Sequence, residues 1–215
     1  MYIQLTTRCN MQCPHCAWSC GPRTGEHMSR AVFMAAIEQA VEYDYYIALG
    51  GGEPTYHPEF FDFLSYALCH IEKEECIWIA TNGKAKTKAL KLLNMAKREG
   101  FCLDLSQDRF HEPISMEVVH AYEEATKRHE NICIRNTFES RGAVIAHGRA
   151  TSLASDLLRN DCICNSIFVQ PSGVVKACGC DNSPVIGHVQ AEIDLDCYER
   201  WEEEMHPYLL KRSNR

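Results

Sequence analysis

Tyr45-Tyr46-Ile47-Ala48-Leu49-Gly50-Gly51-Gly52-Glu53-Pro54 is the stretch from which the fold can be read. Its apolar start predicts a buried strand over 45–49, and three glycines followed by Glu-Pro stop that strand in a loop. Upstream, Ser29 to Tyr43 has helical apolar spacing with Ser29 as N-cap. Before it, Tyr2 to Thr6 predicts a short strand that leads into a cysteine-rich loop. Downstream, helices over 59–71, 86–98 and 114–129 alternate with strands over 76–80, 101–105 and 132–135. The strands end at Thr81-Asn82-Gly83, at Ser106-Gln107-Asp108 and at Asn136. Such alternation predicts an α/β fold with parallel strands and helices outside. Sites of that class lie at the carboxyl ends of the strands. The cysteine loop, the glycine run, the Asn82 turn and the Ser106/Asp108 turn all fall at that edge.

After about residue 150 the pattern changes. Residues 167–170 and 174–177 predict a β-hairpin around Pro171-Ser172-Gly173, and a short helix follows over 195–205. With 215 residues the chain makes one ordinary domain with a small appendage, and 46% apolar residues suffice for a core. A net charge of −7 argues against non-specific nucleic-acid binding. The longest apolar stretch, near Ala31–Ala36, is too short for a membrane span, and Met1–Leu5 does not read as a signal peptide. A cytoplasmic, reducing location is therefore expected, where 13 cysteines call for metal rather than disulfides.

The cysteines fall into groups. Cys69, Cys76, Cys102 and Cys133 sit singly in apolar surroundings and read as core residues. Cys9-x3-Cys13-x2-Cys16 gathers three thiols in one loop, with Cys20 as a conceivable fourth ligand. The spacing favours a [4Fe–4S] cluster with one open iron over zinc, which takes two pairs of ligands, or over redox thiols. Cys162-x-Cys164 and Cys178-x-Cys180 flank the hairpin as a pair of pairs, able to hold zinc or a second cluster.

Cys9-Asn10-Met11-Gln12-Cys13-Pro14-His15-Cys16 resembles the signature of the radical S-adenosylmethionine (SAM) superfamily, and Gly51-Gly52-Glu53-Pro54 resembles its second motif. The resemblance implies a partial (βα)6 TIM-like barrel over 1–150. It implies reductive cleavage of SAM to a 5′-deoxyadenosyl radical that takes a hydrogen atom from substrate, fed by an electron donor such as a flavodoxin or ferredoxin. Cys9, Cys13 and Cys16 would hold the cluster. His15 would lie near the adenine, and Gly51, Gly52, Glu53 and Pro54 would receive the SAM amino group. Glu53 can equally be a structural carboxylate. Ser106, Asp108 and Asn136 would hold ribose or the methionyl carboxylate, against the ordinary reading of turn residues. Gly148-Arg149-Ala150 resembles a segment of branches with auxiliary clusters, where Arg149 could pair with the SAM carboxylate. His111, with Asp108, is the candidate catalytic residue; a structural loop histidine is the plainer alternative.

Residues 151–215 resemble a twitch domain, or a shortened SPASM domain, holding a second [4Fe–4S] cluster on Cys162, Cys164, Cys178 and Cys180. Their C-x-C spacing is tighter than usual, which leaves Cys197 open as a ligand. The resemblance points to peptide modification by cross-linking, epimerisation or oxidation. A first strand at Tyr2 leaves the expectation that a separate protein delivers the peptide. A sugar or nucleoside dehydrogenase or mutase, a glycyl-radical activating enzyme and a zinc-binding module are the alternatives. The basic helix, with Lys84, Lys86, Lys88, Lys91, Lys97 and Arg98, reads as a solvated face or a dock for an acidic partner or phosphate.

Overall fold

The structure is a computed structural model that describes residues 1–23, 25–43, 46–136, 143–159 and 166–210, with backbone alone at 75 and 205–210. Five strands, β1 (Tyr2–Thr6), β2 (Ile47–Gly51), β3 (Ile77–Thr81), β4 (Cys102–Ser106) and β5 (Ile132–Arg135), pair in parallel in that order. Helices α1 (Arg30–Glu42), α2 (Phe60–His70), α3 (Lys86–Glu99) and α4 (Met116–Thr126) return the chain between them. Ser29 caps α1, its Oγ accepting from Val32 N at 3.3 Å. Gly100, at φ +87°, ends α3 in the left-handed conformation that glycine adopts without penalty.

Each strand divides its side chains between two sides. Ile3, Leu5, Ile47, Leu49, Ile77, Ile79, Leu103 and Leu105 face the helices and are fully buried. They meet Phe33, Ala36, Phe63, Leu92, Leu93 and Tyr122, with Phe33 and Phe63 stacked at 4.3 Å. Burying side chains of that size is worth about 1.5–3 kcal/mol each, so this layer holds the barrel. The opposite face carries Tyr2, Ala48, Gly50, Trp78, Ala80, Ser106 and Arg135 and forms the wall of a lumen. Small residues on β2 and β3 keep that lumen open.

The hairpin joins the same sheet. β8 (Phe168–Val169) pairs in parallel with β1, and β9 (Val174–Lys176) and β10 (Val185–His188) add antiparallel beyond it. The full order is β10-β9-β8-β1-β2-β3-β4-β5. A separate pair, β6 (Val144–Ile145) with β7 (Leu158–Arg159), lies outside it. The last helix, α5 (Leu195–Leu210), runs further than the sequence pattern indicates. Among the described residues no helix is long and apolar enough to cross a membrane.

One expectation changes. Cys69 and Cys133 are exposed rather than core residues, while Cys76 and Cys102 are half-buried. Cys69 lies on the outer face of α2, and Cys133 lies on β5, the open edge of the sheet. Lys84, Lys86, Lys91, Lys97 and Arg98 are exposed, as a solvated face requires, and four of the lysines around α3 also meet partners in their own chain. Lys84 pairs with Glu112 at 2.9 Å, Lys86 pairs with Glu117, Lys88 Nζ donates to the Thr55 carbonyl at 2.6 Å, and Lys91 sits 3.8 Å from the centre of the Phe61 ring.

Candidate active site

At the carboxyl ends of the strands lies a cavity of about 470 Å³, within the range of about 300–1,000 Å³ usual for ligand sites. The loop after β1 supplies Cys9, Met11, Cys13, His15, Cys16, Trp18 and Cys20 to its wall. This loop is pinned at its start, where Arg8 N donates to Thr6 Oγ1 (3.0 Å) and Cys9 N to Gly21 O (3.0 Å). Cys9 Sγ accepts from Met11 N at 3.4 Å and from Asn82 Nδ2 at 3.5 Å. Burial pushes the Cys9 thiol up to about 12 and raises Cys13. A bond from the Cys20 thiol draws Cys16 down to about 6, and the same bond drives Cys20 up. Without metal, burial thus keeps Cys9 and Cys13 protonated, and metal binding must release protons.

The glycine run is sewn to this loop. Gly52 N donates to Thr6 O (2.7 Å) and Glu53 N to Arg8 O (3.1 Å). A Cβ on Gly51, at φ +138°, would collide with the Thr6 carbonyl oxygen, and one on Gly52 with the Arg8 carbonyl oxygen. Glu53 is buried and turned into the scaffold. Its Oε1 accepts from Thr55 N, Thr55 Oγ1 and Thr81 Oγ1 at 3.2, 2.6 and 2.8 Å, and its Oε2 accepts from Asn82 N at 2.7 Å. Burial raises its pKa against the pull of these donors. The carboxylate ties the end of β2 to the end of β3, and Pro54 opens the following 3-10 turn.

Asn82, legible in the sequence only as a turn, lines the cavity. Its Nδ2 reaches Asn10 Oδ1 (2.9 Å) as well as Cys9 Sγ, and its Oδ1 accepts from Lys84 N (2.9 Å). Its place at a strand end, opposite the cysteine loop, was the available signal.

Asp108, His111 and His15 form one group. Asp108 Oδ1 accepts from Phe110 N and His111 Nδ1, both at 2.9 Å, and Oδ2 lies 3.6 Å from His15 Nε2. Burial works to raise the Asp108 pKa, but the bonds from His111 and Phe110 hold it below the carboxylate range. Burial lowers the His15 pKa. The His15 and His111 rings meet edge to face at 4.8 Å, and the three side chains present ligand atoms close enough together to hold a cation. Ser106 joins the cavity wall. At the end of β5 it is Arg135, rather than its neighbour Asn136, that lines the cavity.

Arg149 binds the cysteine loop. Its Nε donates to Cys13 O (2.9 Å), its Nη2 to Cys20 O (2.8 Å) and its backbone N to Cys16 O (3.0 Å). Gly148, at φ +53°, lets this segment pack on the Ala17 carbonyl. The guanidinium thus spends these donors on the loop that carries the thiols.

Cys178 and Cys180 are buried between β9 and β10. Cys178 N donates to Ser183 Oγ (2.8 Å), Cys180 N to Cys178 Sγ (3.4 Å), and Lys176 Nζ to Cys180 O (2.6 Å). Cys162 and Cys164 lie outside the described residues. Cys197, on α5, packs against the main core.

A parallel α/β barrel with three thiols and a glycine cradle at one mouth defines a cofactor-dependent enzyme. The donor set fits an iron–sulfur cluster: three sulfurs share one cavity wall, and N–H groups already point at the Cys9 sulfur. The Radical SAM superfamily model matches residues 3–137, more than half of the chain. The protein belongs to that superfamily and is an enzyme of it, using a [4Fe–4S] cluster and SAM. Mycofactocin maturase MftC of Mycobacterium ulcerans is 35% identical over 68 residues, 31% of this chain and 18% of the maturase. The Mycobacterium tuberculosis maturase matches equally, over 17% of its length. The matched part is thus under a fifth of those relatives. Among solved structures, BtrN in complex with AdoMet and 2-DOIA has a TM-score of 0.67 at 17% identity, covering 95% of this chain and 85% of that one. Native anSMEcpe with AdoMet and the Cp18Cys peptide has 0.58 at 17% identity, covering 95% and 81%. These likenesses concern the fold.

Proposed function

We propose that this enzyme removes a hydrogen atom from a carbon of a peptide and thereby cross-links, epimerises or oxidises it. The single observation that carries the reading is the joint between the cysteine loop and the glycine run. Backbone bonds from Gly52 and Glu53 fix one to the other at the mouth of the lumen. The peptide class rests on the similarity to the mycofactocin maturases over 68 residues.

When bound, the cluster and SAM supply a 5′-deoxyadenosyl radical able to attack an unactivated C–H bond. The chain's own residues bind and orient. Cys9, Cys13 and Cys16 would hold the cluster, and Asn82 and the Met11 N–H would support the Cys9 sulfur. The glycines leave the approach to the cluster free of Cβ atoms. Ser106, on the cavity wall, would face the ribose side. His15 would lie on the adenine side, with Asp108 fixing His15 and His111 relative to each other. His111 Nδ1 is engaged by Asp108, so Nε2 is the atom that can take up or give a proton in the cavity. Arg149 holds the loop rather than the SAM carboxylate.

Residues 151–215 supply an auxiliary [4Fe–4S] site in this reading, with Cys178 and Cys180 as two ligands and Cys162 and Cys164 as the others. The Cys180 N–H bonded to Cys178 Sγ supports it, since cluster sulfurs commonly accept such bonds. A one-electron donor and a separate peptide-recognition protein complete the system. The test is SAM cleavage by anaerobically reconstituted protein under strong reductant, followed by mass analysis of candidate peptides. Formation of 5′-deoxyadenosine with a peptide mass change supports the reading; cleavage that no peptide couples to product removes the peptide class.

A further inference from the structure

Behind the cysteine loop, the lumen carries a group of residues to which the proposed reaction gives no task. Strand register sets Trp78 beside Cys102, Ala80 beside Asp104, Asp104 beside Cys133 and Ser106 beside Arg135. Trp78 of β3, Asp104 of β4 and Arg135 of β5 therefore share the lumen face. The Arg135 guanidinium lies over the Trp78 ring, 5.3 Å from its centre. Its Nη1 is 3.8 Å from Asp104 Oδ2. The Trp78 ring and the Asp104 carboxylate thus both neighbour the guanidinium. A fork held this way is already oriented for a ligand.

The other charged groups of the cavity wall are engaged. Glu53 is filled by hydroxyl and backbone donors, Asp108 by His111 and Phe110, and Arg149 by loop carbonyls. Among the described residues the Arg135 side chain makes no hydrogen bond; its neighbours are Asp104 and Trp78. Asp104 is too far for a hydrogen bond yet near enough to offset much of the positive charge, so the pair suits a singly charged anion better than a phosphate. Around it, Ala48, Ala80 and the Trp78 face leave apolar space.

We propose that this is a substrate subsite, in which Arg135 takes a carboxylate of the substrate and Trp78, Ala48 and Ala80 take the apolar carbon skeleton attached to it. The assignment rests on the cavity being the active site of the proposed reaction and narrows its substrate to a carboxylate-bearing molecule. The carboxylate can belong to a peptide or to a small acid.

Titration calorimetry on the full-length, anaerobically reconstituted protein tests this with two acid–amide pairs. Phenylacetate and phenylacetamide stand for a small acid, and N-acetylphenylalanine and its amide for a peptide. Each acid that enters should bind about tenfold tighter than its amide. Arg135→Gln should bring acid and amide within roughly twofold, and Arg135→Lys should keep an intermediate preference. Tighter binding of N-acetylphenylalanine supports the subsite with a peptide carboxylate, and tighter binding of phenylacetate supports it with a small acid. Equal binding of acid and amide by the wild type, or a preference that survives Arg135→Gln, overturns the proposal. So does a loss of SAM affinity of about tenfold in Arg135→Gln, which would assign Arg135 to the SAM carboxylate. Binding is read without turnover, so failure to cleave SAM would sink the proposed reaction while leaving the acid preference to be judged on its own.

Discussion

The cysteine loop after β1 is tied down by four distant parts of the chain, whereas the described bonds on Cys178 and Cys180 come from their own turn. The loop is bound by Gly52 and Glu53, by Asn82, by Glu112, whose Oε1 accepts from Gln12 N at 3.0 Å, and by Arg149. Lys176 and Ser183, within five residues, are among the partners of the rear pair. A site fixed by remote elements is set in place by the folded barrel, and its geometry should respond to changes far away in sequence. A site held locally should fail alone.

The sharpest way to break this contrast is to remove one ligand from each site. Cys13→Ala should abolish SAM cleavage and remove about four irons per chain, as expected for one [4Fe–4S] cluster. Cys178→Ala should remove a further set of about four irons, spare part of the SAM cleavage and lose product, as chromatography and iron analysis would register. Loss of all iron in Cys178→Ala would contradict the independence of the two sites.

Next in size is Gly52→Ala. Its Cβ would meet the Arg8 carbonyl, so the joint must open, at roughly 2–4 kcal/mol of stability. Denaturant unfolding of the metal-free protein should show this, together with weakened SAM binding. Arg149→Lys should come third. Lysine keeps the charge but cannot span the Cys13 and Cys20 carbonyls, so about 1–3 kcal/mol of loop anchoring is lost. Its signature is faster loss of iron to a chelator from the front site and an unchanged rate from the rear.

The smallest effect is on pH. Burial lowers the pKa of His15, His27 and His57. A folded state that resists protonation loses stability as pH falls through the unfolded value of about 6.5. Asp108, held low by His111 and Phe110, contributes stability above about pH 3.9 that is lost as pH falls through its lower folded pKa. The raised pKa of Glu53 has the opposite sign and offsets part of the acid loss. Denaturation midpoints of the metal-free protein should therefore fall from neutral pH toward pH 5. Asp108→Asn should flatten the region below pH 4 and, by removing the carboxylate that raises the His15 pKa, steepen the loss below about pH 6.5.

The parallel strands and their order were legible because period-2 and helical apolar patterns alternate cleanly from Tyr2 to Arg135. The site was legible as an edge, since its loops follow strand ends. Individual roles were less so. Arg149 lies 136 residues from Cys13, and nothing local shows that its guanidinium faces carbonyls rather than a ligand. Glu53 reads equally as ligand or scaffold until Thr55, Thr81 and Asn82 are seen around it. The strands at 144–145 and 158–159 are too short to carry a period, and β10 is masked by Gly187. Arg135 passed unnoticed because a charged residue at a strand end looks like a solvated one.

The most direct test of the account is 5′-deoxyadenosine formation from SAM by the anaerobically reconstituted protein under dithionite, with Cys13→Ala run beside it. The account predicts product from the wild type and none above background from the variant. Equal yields, or no product from wild-type protein carrying its full iron, would contradict it.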